Sequence, residues 1–115
     1  MQYLLLLHSD PSGFAALSDA QRQEAMAAYT AYSDALRKAQ VLVDSNRLKA
    51  ASTATTVRVA NGKTSVLNGP YAEAKEELGG YFLIDVPDLD AAISWAARCP
   101  GASHGAVEVR PVWSM

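Results

Sequence analysis

Two short segments of this chain, residues 3–7 and 81–84, are apolar at every position, and this feature constrains the fold most. Side chains alternate between the two faces of a strand, so a strand that is apolar throughout is covered on both faces. Helices of the same chain can cover one face of a sheet. We expect a second copy of the chain on the other face, because two-fold dimers dominate soluble oligomers and large bare apolar patches are rare on monomers.

Size and charge exclude several classes of protein. The chain has 115 residues, half of them apolar, which predicts one domain over residues 1–115. Ten Lys and Arg residues against twelve Asp and Glu give a net charge of −2, so no nucleic-acid partner is expected. The longest purely apolar run, residues 4–7, is far shorter than the roughly 20 residues of a spanning helix, so no membrane partner is expected either.

The cellular compartment is predicted from two further features. Residues 1–10 lack the basic and small-residue pattern of a secretory signal. Cys99 is the only cysteine, so an internal disulfide is excluded. Together these features predict a cytoplasmic protein.

The order of helical and strand patterns predicts an α+β fold. Ser18 and Gln21 match a capping box, so a helix is expected from there to about residue 39, with Tyr29 and Tyr32 on its apolar stripe. Asp88 caps a second helix that ends before Pro100. Strands are predicted, in order, at residues 3–8, 41–43, 81–86 and 106–113.

A hairpin is predicted between the second and third of these strands. Asn61 and Gly62 suit a type I′ turn, so residues 53–67 should pair with Val57 opposite Val66. Residues 72–78 have helix propensity and precede two glycines, which indicates a short helix that ends there. Two βαβ halves with an inserted hairpin are typical of a ferredoxin-like split βαβ fold.

Several linked segments carry a resemblance to a known family. They are residues 3–7, 17–18, 54–59, the tetrapeptide at 68–71, Glu73, residues 75–76, 78–81 and 107–112. Together they resemble the bacterial YCII-related family, in the branch named for an Asp-Gly-Pro-Phe ("DGPF") motif. The resemblance implies a ferredoxin-like subunit that dimerises into an α/β barrel. Because some members lie beside or are fused to extracytoplasmic-function sigma factors, it also implies a sigma factor as a candidate partner.

The chain departs from that motif at both ends. Asn68 stands where the family has aspartate, and Tyr71 where it has phenylalanine. Asparagine can form the same turn but cannot exchange a proton near neutral pH, so Asn68 is given no acid–base role.

Two residues are candidates for acid–base catalysis. His8 ends the first predicted strand, two residues before Asp10, and the alternative is a partly exposed histidine at a strand end. Glu73 matches the family pattern together with Lys75, and the alternative is a solvated run of charges.

Two arginines are candidates for binding an anion. Arg58 and Arg110 each occupy the polar phase of an apolar strand, so we expect both on one sheet face. The alternative is a structural ion pair with Glu108 or Asp85.

The leading hypothesis from the sequence is a dimeric binding or regulatory module with a pocket for a small polar or anionic molecule. The alternative is a cofactor-free enzyme that performs acid–base chemistry on a small metabolite. No metal or cofactor is expected, because the chain lacks metal-binding and nucleotide-binding motifs. The predicted binding residues are Tyr29, Arg58, Asn68, Tyr71, Glu73, Lys75 and Arg110.

Overall fold

The computed structural model describes residues 1–114, which form a four-stranded sheet, a separate β-hairpin and three α-helices. Among these residues, no helix combines the length and apolar composition needed to cross a membrane. The elements in chain order are β1 (Gln2–Ser9), α1 (Pro11–Ala15), α2 (Asp19–Lys38), β2 (Leu42–Arg47), β3 (Thr55–Ala60), β4 (Lys63–Asn68), β5 (Glu77–Asp85), α3 (Leu89–Arg98) and β6 (Ala106–Pro111). Short 3₁₀ turns lie at Ala51–Thr53 and Pro100–Ser103.

The main sheet has the strand order β2-β5-β1-β6, and every neighbouring pair is antiparallel. Strands β1 and β2, joined through α2, therefore run parallel with β5 between them. Strands β5 and β6, joined through α3, likewise flank β1. Each βαβ unit is split by a strand of the other, which confirms the predicted α+β fold and its split βαβ order.

The two long helices pack on one face of this sheet. The capping box that begins α2 is present: the Gln21 amide donates to Ser18 Oγ at 3.2 Å, and the Ser18 amide donates to Gln21 Oε1 at 2.9 Å. Tyr32 of α2 stacks edge-on against Phe82 of β5, and its hydroxyl donates to the carbonyl of Trp95 at 2.7 Å. The buried core comprises Tyr3, Leu5, Tyr32, Leu36, Phe82, Ile84, Val86, Ala92, Ala96 and Cys99.

The opposite face of the sheet is only partly buried within one chain. Alternation along β1 and β5 directs Leu4, Leu6, Tyr81 and Leu83 away from the helices. We call these four residues and their polar neighbours on β2 and β6 the uncovered sheet face. The second layer expected from the sequence lies outside a single chain and stays a prediction.

The predicted hairpin is confirmed in turn and register. Val57 pairs with Val66, and Arg58 pairs with Ser65. Asn61 has φ 52° and Gly62 has φ 76°, as a type I′ turn requires. The hairpin is a two-stranded sheet of its own, and we call residues 55–68 the arm.

The arm makes the chain wide and flat. The principal extents are 48 × 44 × 18 Å, and the radius of gyration is 16.1 Å. A globular chain of this length has a radius of gyration of about 13 Å. The difference reflects an arm that projects from the sheet instead of folding back onto it.

The helix predicted for residues 72–78 is wrong. The chain is irregular after Tyr71, and β5 begins at Glu77 and continues through both glycines. Pairing with β1 overrides the weak local preference for helix. Gly80 is required by packing, since a Cβ there would lie 2.8 Å from the carbonyl oxygen of Asn46 on β2.

Two smaller differences concern the first helix and the second strand. Residues 11–15, expected as a loop, form α1 because Asp10 caps it and Pro11 suits its first turn. Strand β2 continues to Arg47 through an irregularity between Leu42 and Asp44.

Candidate functional site

An open cleft of about 760 Å³ lies at the carboxyl end of β1. Three segments form it: the end of β1, the beginning of β6, and the irregular segment that returns from the arm. Its lining residues are His8, Asp10, Ala74, Lys75, Glu76, Ala106 and Glu108. We call it the His8 cleft.

The backbone around His8 is fixed by its two neighbouring strands. His8 pairs with Leu78 of β5 just after a register shift, and with Ala106 of β6 on the other side. Gly105 precedes β6 so closely that a Cβ on it would lie 2.1 Å from the carbonyl oxygen of His8. Glycine at this position therefore allows β6 to approach the end of β1.

The His8 side chain faces a carboxylate on β6. Its Nε2 lies 4.0 Å from Oε1 of Glu108, is shielded from solvent, and has no hydrogen-bond partner within residues 1–114. The other oxygen of Glu108, Oε2, forms an ion pair with Arg110. The imidazole is thus close to a fixed carboxylate without being bound to it.

Asp10 contributes a second carboxylate to the cleft. Its Oδ1 accepts hydrogen bonds from the Ser12 hydroxyl at 2.7 Å and from the Ser12 amide at 3.0 Å. These two bonds lower the pKa of Asp10 below its ordinary value, and the positive charge of Lys75 adds to the effect. Asp10 is therefore an acceptor at neutral pH and not a proton donor.

The charges of the cleft balance closely. Asp10, Glu76 and Glu108 supply carboxylates, while Lys75 lines the cleft and Arg110 neutralises Glu108 at its rim. A dianionic ligand would meet more negative than positive charge here. The cleft suits a small polar molecule that enters uncharged.

Glu73, the other candidate base, lies elsewhere. It lines a second, smaller cleft of about 230 Å³ with Ser52, Pro70 and Glu77 among its walls. Within one chain, the structure does not bring Glu73 to His8 or Lys75 in a shared cleft.

Three of the predicted binding residues belong to the arm and the turn that follows it. The Arg58 guanidinium stacks over the Tyr71 ring at 5.1 Å from its centroid, and both side chains are exposed. Asn68 ends β4 opposite Thr55, and Gly69 follows with φ 120°. Asn68 thus occupies a turn, as its side chain suggested.

The expectation that Arg58 and Arg110 share one sheet face is wrong for the single chain. Arg58 lies in the two-stranded arm, whereas Arg110 lies on β6 at the edge of the main sheet. The polar phase of a strand predicts a face but not which sheet the strand joins. The alternative of an Arg110–Glu108 ion pair is confirmed.

Tyr29 lies half-buried on α2, and its hydroxyl is next to Cys99 and Gly101 on the helix-covered side of the sheet. It does not line the His8 cleft. Burial raises the pKa of Tyr29 to about 12, and burial likewise raises the pKa values of Tyr32 and the Cys99 thiol. These groups are packed and protonated at neutral pH.

This burial predicts a loss of stability at alkaline pH. A tyrosine in an unfolded chain ionises near pH 10, so a raised native pKa stabilises the fold fully below about pH 10. That contribution is lost as the pH rises from there through about 12 for Tyr29. We expect the urea midpoint to fall over this window, and to fall less in Tyr29→Phe.

The matched control for this prediction is Tyr71→Phe, which removes an exposed hydroxyl. It should follow the wild-type curve of urea midpoint against pH. The same alkaline decline in Tyr29→Phe as in the wild type would contradict the role of Tyr29.

The sequence considered Glu108 only as a partner of Arg110 and missed its place beside His8. The available signal was that His8 and Glu108 fall on the same face of strands that could be neighbours. A second polar cluster was also missed. The Tyr81 hydroxyl donates to Asp44 Oδ2 at 3.0 Å and accepts from Asn46 Nδ2 at 2.8 Å, on the far side of the uncovered sheet face.

These features define a small α+β domain with a split βαβ sheet and a polar cleft at the end of its first strand. The chain belongs to the YCII-related domain family, which matches residues 1–115. It is 36% identical over 114 residues to the uncharacterized protein R00369 of Rhizobium meliloti (strain 1021), covering 97% of this chain and 92% of that one.

A solved structure with a similar fold is 5-chloro-2-hydroxyhydroquinone dehydrochlorinase (TftG) from Burkholderia phenoliruptrix AC1100, in complex with 2,5-dihydroxybenzoquinone. The TM-score is 0.56 at 16% sequence identity, and the match covers 99% of this chain and 94% of that chain. At this identity the likeness shows the fold alone.

Proposed function

We propose that this protein is an enzyme that moves a proton on a small, uncharged, polar metabolite in the His8 cleft, without a cofactor. The observation that carries the proposal is the His8 imidazole, which faces Glu108 in an open cleft and has an unpartnered Nε2. Imidazole is the side chain best suited to accept and return a proton near neutral pH.

Each residue of the cleft has a role in this reaction. A small closure of the 4.0 Å gap lets His8 Nε2–H donate to Glu108, which is itself held by Arg110. Such contacts commonly tighten when substrate binds. The other ring nitrogen then accepts a proton from a C–H or O–H bond of the substrate, and the bonding electrons stay on the substrate as an oxyanion. The Lys75 ammonium stabilises that negative charge until His8 returns the proton.

The likeness to TftG supports small-molecule chemistry in general terms. A protein of similar fold is a dehydrochlorinase of a hydroxyhydroquinone, so such a fold accommodates a reaction on a small oxygenated ring. No residue is carried over from it. The binding module favoured by the sequence depended on Arg58 and Arg110 meeting, which does not occur within one chain.

Deuterium exchange tests the proposed function directly. The protein is incubated in D₂O with a panel of enolisable carbonyl compounds that includes 2,5-dihydroxybenzoquinone, and incorporation at carbon is followed by NMR. We expect exchange above the buffer rate for at least one compound, and a loss of about 100-fold or more in His8→Ala.

The matched control is His104→Ala, because His104 is the only other histidine and is exposed in the loop before β6. It should exchange at the wild-type rate. A compound that binds but never exchanges would instead favour a binding module, and equal rates in His8→Ala and the wild type would reject His8 as the base.

Two partner predictions accompany the proposed function. We propose a homodimer, because Leu4, Leu6 and Leu83 leave one sheet face apolar and bare. A sigma factor stays a prediction of the resemblance, since neither the family match nor the curated relative names one.

A further inference from the structure

The arm exposes apolar side chains that a lone hairpin cannot bury. Val57, Val59 and Val66 share one face of it and are 57%, 66% and 59% exposed. The opposite face carries Arg58 and Lys63. An isolated two-stranded hairpin is at best marginally stable in water, so a face of three valines indicates a surface that packs on something else.

The uncovered sheet face is a matching surface on the same chain. Leu4, Leu6 and Leu83 form its apolar centre, and it continues through Glu108 and His8 into the His8 cleft. The arm and this face therefore have complementary needs: each is apolar, roughly flat and without a covering layer.

The amount of exposed surface fits an interface between copies. The chain exposes 8170 Å², whereas a monomer of its mass, 12.3 kDa, exposes about 6100 Å². The excess is about 2000 Å² per chain, comparable to what each subunit buries in a large obligate homodimer. Direct contact between two sheets would still leave the arm bare, whereas an arm seated on a partner's sheet covers both surfaces.

Charge favours a second copy as the occupant. Residues 45–72, which include the arm, hold four of the ten Lys and Arg residues and none of the twelve Asp and Glu residues. The rest of the chain therefore holds the other six cations and all twelve acids. A basic arm and an acidic body attract each other between copies, which orients their encounter.

We propose that the arm of a second copy packs its valine face on the uncovered sheet face and roofs the His8 cleft there. The arm leaves the main sheet at the end of β2 and returns at the beginning of β5, which is the end of the sheet where His8 lies. Two-fold symmetry gives each subunit one arm to offer and one cleft to close. This inference deepens the proposed function, because it rests on the His8 cleft being the site.

The roof supplies what the open cleft lacks. An arm over the cleft excludes water from the imidazole and strengthens its interactions with Glu108 and the substrate. The site is then incomplete in a single chain.

Sedimentation velocity of three proteins tests the docking. The wild type should sediment with twice the chain mass at micromolar concentration, and the double variant Val57→Asp, Val66→Asp should sediment with the chain mass. Both valines are exposed within one chain, so the variant should keep its fold, which far-UV circular dichroism checks. The control is Ser65→Asp on the opposite face of the arm, which should remain a dimer. A monomeric wild type, or a double variant that stays dimeric, would overturn the proposal.

Contact between the arm and the partner's sheet is tested by cross-linking. Purified Val66→Cys and Leu4→Cys proteins are mixed and oxidised, and the covalent heterodimer is quantified on a non-reducing gel. The native Cys99 is buried in the core and should not compete. We expect the mixture to give far more heterodimer than a mixture of Val66→Cys with the Asp90→Cys variant, whose cysteine is exposed on α3. Equal yields from the two mixtures would count against the docking.

Chemical protection of His8 separates the roof from the proposed function. Diethylpyrocarbonate modification, followed by mass spectrometry, should be several-fold slower at His8 in the wild type than in the double arm variant, with His104 as an internal reference. Equal rates would reject the roof even if His8→Ala abolishes deuterium exchange. Protection together with dimerisation, but without exchange, would leave the arm proposal standing and reject the enzyme.

Discussion

Leu36→Ala is expected to lower the free energy of unfolding by about 2–5 kcal/mol, as large-to-small substitutions at closed core sites do. Leu36 lies near the end of α2 and is fully buried, as are Leu5 of β1 and Ile84 of β5. Truncation removes several carbon atoms from the layer between helix and sheet. The rigid strands on the other side cannot collapse into the space, so a cavity term adds to the lost burial.

Urea unfolding at fixed protein concentration measures this effect, since dimerisation would make the midpoint depend on concentration. The midpoint should fall while its slope stays unchanged. Met26→Ala is the matched control, because Met26 lies on the same helix with its side chain exposed. Its effect should stay within about 0.5 kcal/mol. A Leu36→Ala midpoint equal to that of Met26→Ala would contradict the packing described for α2.

Local signals in the sequence predicted the parts of the fold that local chemistry determines. The capping box at Ser18 begins α2, and Asp88 caps α3 by accepting a hydrogen bond from the Ala91 amide at 2.9 Å. Asn61 and Gly62 gave both the turn and the register of the arm. Each of these features involves residues that are close in sequence, so one sequence contains all the information needed.

The segment before β5 could not be predicted in this way. Glu76, Glu77 and Leu78 favour a helix locally, yet residues from Glu77 onward pair with β1, more than sixty positions away in the chain. The energy of that pairing does not appear in any short window. The same limit explains why Arg58 was assigned to the wrong sheet, because strand membership is a long-range property.

The candidate site shows the same division. His8 was singled out from its position at a strand end, and the structure places it in the larger of the two clefts described. Its neighbour Glu108 is one hundred residues later and comes close only through the register of β1 against β6. The sequence therefore provides candidates for acid–base chemistry, whereas the tertiary register decides which carboxylate serves the histidine.

Gly105→Ala is expected to remove most of the His8-dependent exchange and to destabilise the fold by about 1–3 kcal/mol, the usual range for overpacking. A Cβ on Gly105 would lie 2.1 Å from the His8 carbonyl oxygen and 3.1 Å from the Cα of Ser9. Both are backbone atoms, so no side chain can rotate away. The end of β1 and the beginning of β6 must separate, which moves His8 relative to Glu108.

Misplacing a catalytic group by about 1 Å can cost about 100-fold in rate, so exchange should fall much further than stability. Deuterium exchange and the urea midpoint measure the two effects on the same protein. Gly13→Ala is the matched control, since Gly13 lies in α1 with nothing within 4 Å of its added methyl group. It should keep full exchange. Wild-type exchange in Gly105→Ala would show that the His8 site tolerates a wider gap between β1 and β6 than the close contact described here implies.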